Sequence, residues 1–513
     1  MGAIVTSIGL KGLEGYRVQV EVQAMDGMDC IVIVGLPDAS VKESKERISA
    51  ALVSMGYSLH EKKVVINLSP AEQKKNGPLF DLPMAIGMLM SMDELKVKIS
   101  PDTAFIGALS LDGSIRPVEG MLPAVLAARK LGIKSIYIPY DEDLPPLSFP
   151  ELDIIYVTHL HEVLQHLQGQ PILPLFPKGS NQPAEEVHLS NMVDFQDIVG
   201  HKHAKFALEV AAAGEHHVLM AGPPGCGKSL LAESFPSILP PLTEEASLEM
   251  ISLYQLSGET LMNTRIPPYR NPHHSASGVS IIGGGQNPKP GEVSLAHRGV
   301  LFLDEVAEFS KKTLDMLRQP LETGRVTISR ARSTVTYPAQ FILLAAMNPC
   351  PCGYLGSNTH YCTCTPNKIQ SYQNKLSGPI RDRFDIFLSL RPVDLNQRKK
   401  REQDSSDVVR KRVDEARKRQ YERYNMEICN SRVPFEQLMK TSPLTIRQQN
   451  LISQISAKRN FSNRTQVKII RIARTISDLK AEEAISDESL WQAIYLNNKA
   501  FDKREEKQKF VTV

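Results

Sequence analysis

Over residues 1 to about 170, short apolar runs alternate with stretches of helical spacing. CIVIVGLP (30–37) reads as a strand and its exit. Ser40 to Met55 then sets Val41, Ile48, Ala51 and Leu52 between charges, the pattern of an amphipathic helix. KKVVINLSP (62–70), TAFIGALSL (103–111), SIYIP (135–139) and DIIYV (153–157) predict further strands, and Leu122–Leu131 a helix. This alternation predicts an α/β or α+β layer fold. From residue 170 to about 190 the chain reads QPILPLFPKGSNQPAEEVHLS, with four prolines and no period, the mark of a linker. A second alternating segment runs from Met192 to Pro392, and the remainder is helical and charged. The expected division is therefore 1–170, a linker at 171–190, a parallel-sheet core at 191–395 and a helical domain at 396–513. Arg398–Tyr424 holds eleven Lys or Arg, but interleaved Asp and Glu favour a solvated helix face for most of them.

Composition narrows the function classes. Hydrophobic residues at 42% and charged residues at 23% supply a core and exclude disorder along most of the length. A net charge of +3 means that any nucleic-acid contact must come from local patches. Aromatic residues at 6%, with Trp491 the single tryptophan, argue against a binder built on stacking platforms. No run of 18 apolar residues occurs, and the start lacks the basic and apolar regions of a signal peptide. Seven cysteines, an odd count, predict reduced thiols in the cytoplasm, and the lack of a long apolar run predicts no membrane partner.

Candidate chemistry begins at HVLMAGPPGCGKSLLAESF (217–235). An apolar strand leads into Gly222-Pro223-Pro224-Gly225-Cys226-Gly227-Lys228-Ser229-Leu230 and then a helical pattern, the context of a phosphate-binding loop. Glycines at this spacing let backbone N–H groups face phosphates at a helix N-terminus. Lys228 is placed to reach β and γ oxygens and Ser229 to ligate Mg²⁺, so ATP and Mg²⁺ are the expected cofactors. About 75 residues on, GVLFLDEVAEF (299–309) ends a buried strand in Asp304, a Mg²⁺ group, and Glu305, a water-activating base. FILLAAMNP (341–349) ends in Asn348, suited to orienting water or sensing the γ-phosphate. In a parallel sheet, ligands gather at the carboxyl ends of strands, so Lys228, Asp304, Glu305 and Asn348 are expected at one edge. Cys350-x-Cys352 and Cys362-x-Cys364, nine residues apart, can converge as four thiolates around Zn²⁺; a redox pair or inert thiols are the alternatives. Adjacent His273 and His274 lack further ligands and read as structural or subunit-facing. LETGRVTISRARSTVTYPAQF (321–341) predicts a hairpin tipped by Arg330 and Arg332.

LSGPIRDRFDIFLSL (376–390) adds a D-R-F-D box. The order of phosphate loop, Asp-Glu strand, Asn strand and box resembles the AAA+ ATPases. Stretches 268–309, 319–331, 345–356 and 461–479 resemble in particular the magnesium chelatase-like ATPases of the YifB/ComM type. The resemblance implies a homo-oligomeric ring, a hexamer, with Arg383 acting in trans on a neighbour's γ-phosphate. It makes Arg464 the second sensor arginine of a C-terminal helical lid, although many relatives carry Arg where this chain has Lys468. Arg381 stands where relatives often have an aliphatic residue. The Arg330/Arg332 hairpin is implied to line the pore and grip DNA without regard to sequence, branched or single-stranded. Branch migration during recombination of transforming DNA is the implied activity, with protein remodelling by a chelatase-like chaperone as the rival. GPLFDLPMAIG (77–87) and GALSLDGSIRPVEGMLPAVLAA (107–128) give the N-terminal domain a likeness to the ribosomal-S5/Lon-protease fold. Leu79 stands where a Ser-Lys protease needs its serine, and Leu122 and Ala124 where it needs its lysine, so this domain is expected to be non-catalytic.

Overall fold

The structure, a computed structural model, describes residues 2–75, 77–175, 193–259, 265–285, 288–330, 333–356, 360–393 and 404–498. Most of the expected linker, 176–190, and the expected boundary at 395–396 lie outside the described residues. Two compact units emerge: Met1–Glu186 with Leu248–Met262 and Ser333–Thr336, and Val187–Ser247 with Asn263–Arg332 and Tyr337–Val513.

The first unit is an α+β layer. Its strands are β1 (Ala3–Lys11), β2 (Glu14–Asp26), β3 (Cys30–Val34), β4 (Lys62–Ser69), β5 (Thr103–Phe105), the short pair β6 (Ala108–Leu109) and β7 (Ile115–Arg116), β8 (Ser135–Pro139) and β9 (Asp153–Val157). Seven of them form one sheet in the order β3-β4-β2-β1-β5-β8-β9. The pairs β1–β2 and β2–β4 are antiparallel and the rest parallel. The hairpin β1–β2 escapes the strand pattern read from residue 30 onward. The single strand expected over 103–111 divides at Gly107, whose φ of 155° interrupts the pleat. The helix Ala39–Ser54 begins where Asp38 accepts the N–H of Val41 at 2.8 Å, a side-chain N-cap. Asp81–Ser91 is buried almost throughout and packs on β1 and β2. Its Gly87 permits the approach, because a Cβ there would lie 2.6 Å from Val22.

In the second unit the strands are β10 (Val218–Ala221), β11 (Tyr269–Arg270), the short pair β12 (Gly283–Gly284) and β13 (Lys289–Pro290), β14 (Val300–Leu303), β15 (Arg325–Arg330), the end of β16 (Ser333–Pro338, whose first four residues group with the first unit), β17 (Ile342–Met347) and β18 (Ile386–Ser389). Five form a sheet in the order β11-β14-β17-β10-β18, every neighbouring pair parallel. β10, β14 and β17 are buried at every position, as their unbroken apolar runs require of a sheet covered on both faces. β15 and β16 form a two-stranded sheet, the expected hairpin. Helices Ser406–Tyr424, Ile446–Arg459, Asn463–Leu479 and Asp487–Leu496 complete the helical C-terminal region. The solvated-face expectation for the basic stretch needs correction here. Lys418 does sit on the outside, but Arg417 donates to the Ala212 carbonyl at 2.7 Å and Arg423 pairs with fully buried Asp478. These arginines satisfy buried acceptors, which spacing along one helix cannot reveal.

Candidate nucleotide site and thiolate cluster

β10 runs straight into the glycine-rich loop, and the helix Lys228–Ser234 starts at its end. Gly225 and Gly227 take φ of 72° and 86°, the left-handed region that glycine tolerates. Gly222 is required by contact instead, since a Cβ would lie 2.7 Å from the Leu390 carbonyl and from Cys226 Sγ. Lys228 is buried, and its Nζ donates to the carbonyls of Gly222 and Pro223 at 2.7 and 3.0 Å and to Asn348 Oδ1 at 3.1 Å. Burial holds its pKa below the ordinary lysine range, opposed by Cys226, Asp304 and Glu305. Ser229 Oγ donates to Asp304 Oδ2 at 3.0 Å. Glu305 is exposed beside it with φ of 47°, its own N–H donating to Asp304 Oδ1 at 2.8 Å. Strand order explains the meeting: β17 lies between β10 and β14, so their carboxyl ends deliver Lys228, Asn348 and Asp304/Glu305 side by side. Pro223 is buried, while Pro224 and Leu230 are exposed on the loop and first helical turn.

The arginines form a separate group. Arg383 Nη2 pairs with Glu322 Oε2 at 2.8 Å, and Arg464 Nη2 stands 3.6 Å from the other oxygen of the same carboxylate. Arg383 Nε is buried with no hydrogen-bond partner. Among the described residues, no hydrogen bond or ion pair joins either arginine to Lys228, Asp304, Glu305 or Asn348. Lys468, the alternative to Arg464, is bound into the box: Nζ meets Asp385 Oδ1 at 3.0 Å and the carbonyls of Asp382 and Phe384 at 2.6 and 2.8 Å. Burial raises the pKa of Asp385, but Lys468, His216 and His217 pull it far below the carboxylate range. Arg330 ends β15, with its side chain not described, and Arg332 lies outside the described residues.

Cys350, Cys352, Cys362 and Cys364 converge, their sulfurs all within 4.8 Å of one another, and none forms a disulfide. The Cys350–Cys352, Cys350–Cys362 and Cys352–Cys362 separations are 3.3, 3.7 and 3.6 Å. Zn–S bonds of about 2.3 Å at tetrahedral angles set sulfurs about 3.8 Å apart, so this donor set fits Zn²⁺. The His273 and His274 rings lie tilted by 35° with centroids 4.0 Å apart, and Nδ1 of His273 bonds the Ser275 hydroxyl at 2.7 Å.

Sequence patterns pass over Glu322, a helical polar residue with no motif around it, and over His201, whose Nε2 would lie 3.5 Å from a Cβ on Gly227.

Comparison with known proteins agrees with this layout. Residues 194–398 match the family model for magnesium chelatase, subunit ChlI; 20–142 match that for subunit ChlI of Mg-chelatase; 403–497 match that for the subunit ChlI C-terminal region. Competence protein ComM of Haemophilus influenzae is 38% identical over 496 residues, 96% of each chain. The chain belongs to the YifB/ComM family of magnesium chelatase-like AAA+ proteins. Within that family, the uncharacterized protein YifB of Escherichia coli is 36% identical over 496 residues, again 96% of each chain. A Lon protease of Trichlorobacter lovleyi is 26% identical over 193 residues, 35% of this chain and 23% of that protein, in keeping with Lon-like sequence in the N-terminal part. No helix among the described residues is long and apolar enough to cross a membrane.

Proposed function

We propose that this YifB/ComM-family protein is an ATP hydrolase of the cytoplasm, assembled as a homohexameric ring, that couples hydrolysis to translocation and branch migration of DNA. The observation that carries the chemistry is the double pairing Lys228–Asn348 and Ser229–Asp304 at the ends of three adjacent parallel strands. In this reading residues 222–230 cradle the triphosphate, Ser229 and Asp304 hold Mg²⁺, Glu305 activates water and Asn348 orients it. Arg383 completes the site of the adjoining subunit, and Arg464 acts as the second sensor arginine of the lid. That both are held by a single exposed carboxylate supports the assignment, because a more highly charged phosphate can displace it. The four cysteines hold a structural Zn²⁺. Residues 1–170 act as a non-catalytic collar, and 396–513 as the lid.

DNA as the substrate is supported by the name of the competence protein that this chain resembles and by the Arg330/Arg332 hairpin. ATPase rates measured with and without forked, four-way and single-stranded DNA test it. Stimulation that weakens steeply with salt, and disappears in Arg330→Ala/Arg332→Ala with the basal rate intact, is expected. The chelatase family-model matches favour a second reading, a chaperone that remodels a protein partner. An ATPase indifferent to every DNA would turn the assignment to that reading.

A further inference from the structure

The segment after Asn348 is built against the nucleotide site. Cys350, two residues on, is fully buried, and its carbonyl accepts the N–H of Gly353 at 2.9 Å to close a turn. That turn rests on the phosphate loop. A Cβ on Gly353 would lie 2.8 Å from both Cγ and Cδ of Pro224, and its φ of 82° suits glycine. The far arm of the cluster is anchored too. Cys364 precedes Thr365, which caps the helix Pro366–Gln373, and the last residue of that helix donates from Nε2 to the Pro349 carbonyl at 3.1 Å. Both arms of the cluster are thus tied to the residues that directly follow Asn348. Tyr361, 90% exposed, and Leu355, 37% exposed, add little apolar packing to that tie.

We infer that the Cys350/Cys352/Cys362/Cys364 metal centre is a positioning element of the nucleotide site: it holds Asn348 against Lys228 and Gly353 against Pro224. Nucleotide on the phosphate loop must then be felt at the metal, because coupling between two sites is reciprocal. The inference rests on the proposed ATP-binding role of residues 222–230.

Cobalt substitution of the full-length protein tests it, since Co²⁺ in a thiolate site reports its geometry through its d–d bands. Titration with ADP and with a non-hydrolysable ATP analogue should shift those bands in the wild type. The shift should vanish in Lys228→Ala and shrink in Asn348→Ala, both of which keep the metal. In the zinc form, Cys362→Ser should weaken binding of a fluorescent ATP analogue about tenfold, the scale of losses when groups supporting a site are removed. Cobalt bands indifferent to saturating nucleotide would overturn the inference and leave the ATP-site assignment standing. So would a chain that binds nucleotide but takes up no metal. A metal-loaded wild type that binds no nucleotide would overturn both.

Discussion

Both units pack helices against a sheet, and they differ in the side chains that stand where chemistry would sit. In the second unit Lys228, Ser229, Asp304 and Asn348 are polar, paired and gathered at one edge of the sheet. In the first, Leu79, Leu122 and Ala124 stand where a Ser-Lys peptidase would carry its dyad, and they are 5%, 0% and 0% exposed within the core. Nearby polar groups there are absorbed into structure: Asp81 takes Arg47 at 2.8 and 3.1 Å and the Leu109 N–H at 3.2 Å. The difference teaches that a shared fold does not carry chemistry by itself; the side chains placed at the site decide what it can do.

The sharpest way to break this contrast is at Glu305. Glu305→Gln should retain ATP binding and lose hydrolysis by up to about 10⁴-fold, as removal of a general base predicts. Lys228→Ala should lose binding itself. Wild-type turnover in Glu305→Gln would remove that carboxylate from the site. Next in size, Arg383→Ala should bind ATP and hydrolyse it on the order of 10³-fold more slowly. Mixed rings with Lys228→Ala subunits should recover part of the activity, measured as steady-state ATPase against mixing ratio; no recovery in well-mixed rings would exclude action in trans.

Leu79→Ser should do the reverse. It should lower the stability of the first unit by about 2–5 kcal/mol in denaturant unfolding, the range for emptied core positions, while ATP turnover persists and no peptidase activity appears. Peptide cleavage by the wild type or this variant would dissolve the contrast.

The smallest effect is a pH dependence of the second unit. His217 is half-buried, and its Nδ1 accepts the Leu343 N–H at 3.0 Å, which requires the neutral ring. Burial, assisted by Arg432 and Lys468 and opposed by Asp385, lowers its pKa from 6.5 to about 4. Because the folded value lies below the unfolded one, its contribution is present above pH 6.5 and lost as pH falls toward 4. The second unit should lose about 1 kcal/mol from this group between about pH 7 and 5.5, read from denaturant midpoints. His217→Asn, which keeps an acceptor and does not titrate, should flatten the dependence.

Motifs whose residues lie close together in the chain were legible without a structure. The phosphate loop works through consecutive backbone groups, so its spacing alone implies its shape, and the buried runs of β10, β14 and β17 announce a parallel sheet. The two Cys-x-Cys arms were likewise readable as a metal pattern. What the tertiary structure decided was partnership across long separations. Lys228 and Asn348 are 120 residues apart, and their hydrogen bond depends on strand order, which periodicity does not encode. Glu322 gains meaning only because Arg383 and Arg464 reach it from 61 and 142 residues away. Lys468 meets Asp385 and two carbonyls of the box, partners that lie more than 80 residues away in the chain. A side chain's identity limits the bonds it can make; which bond forms is set by the groups that folding brings within about 3 Å of it.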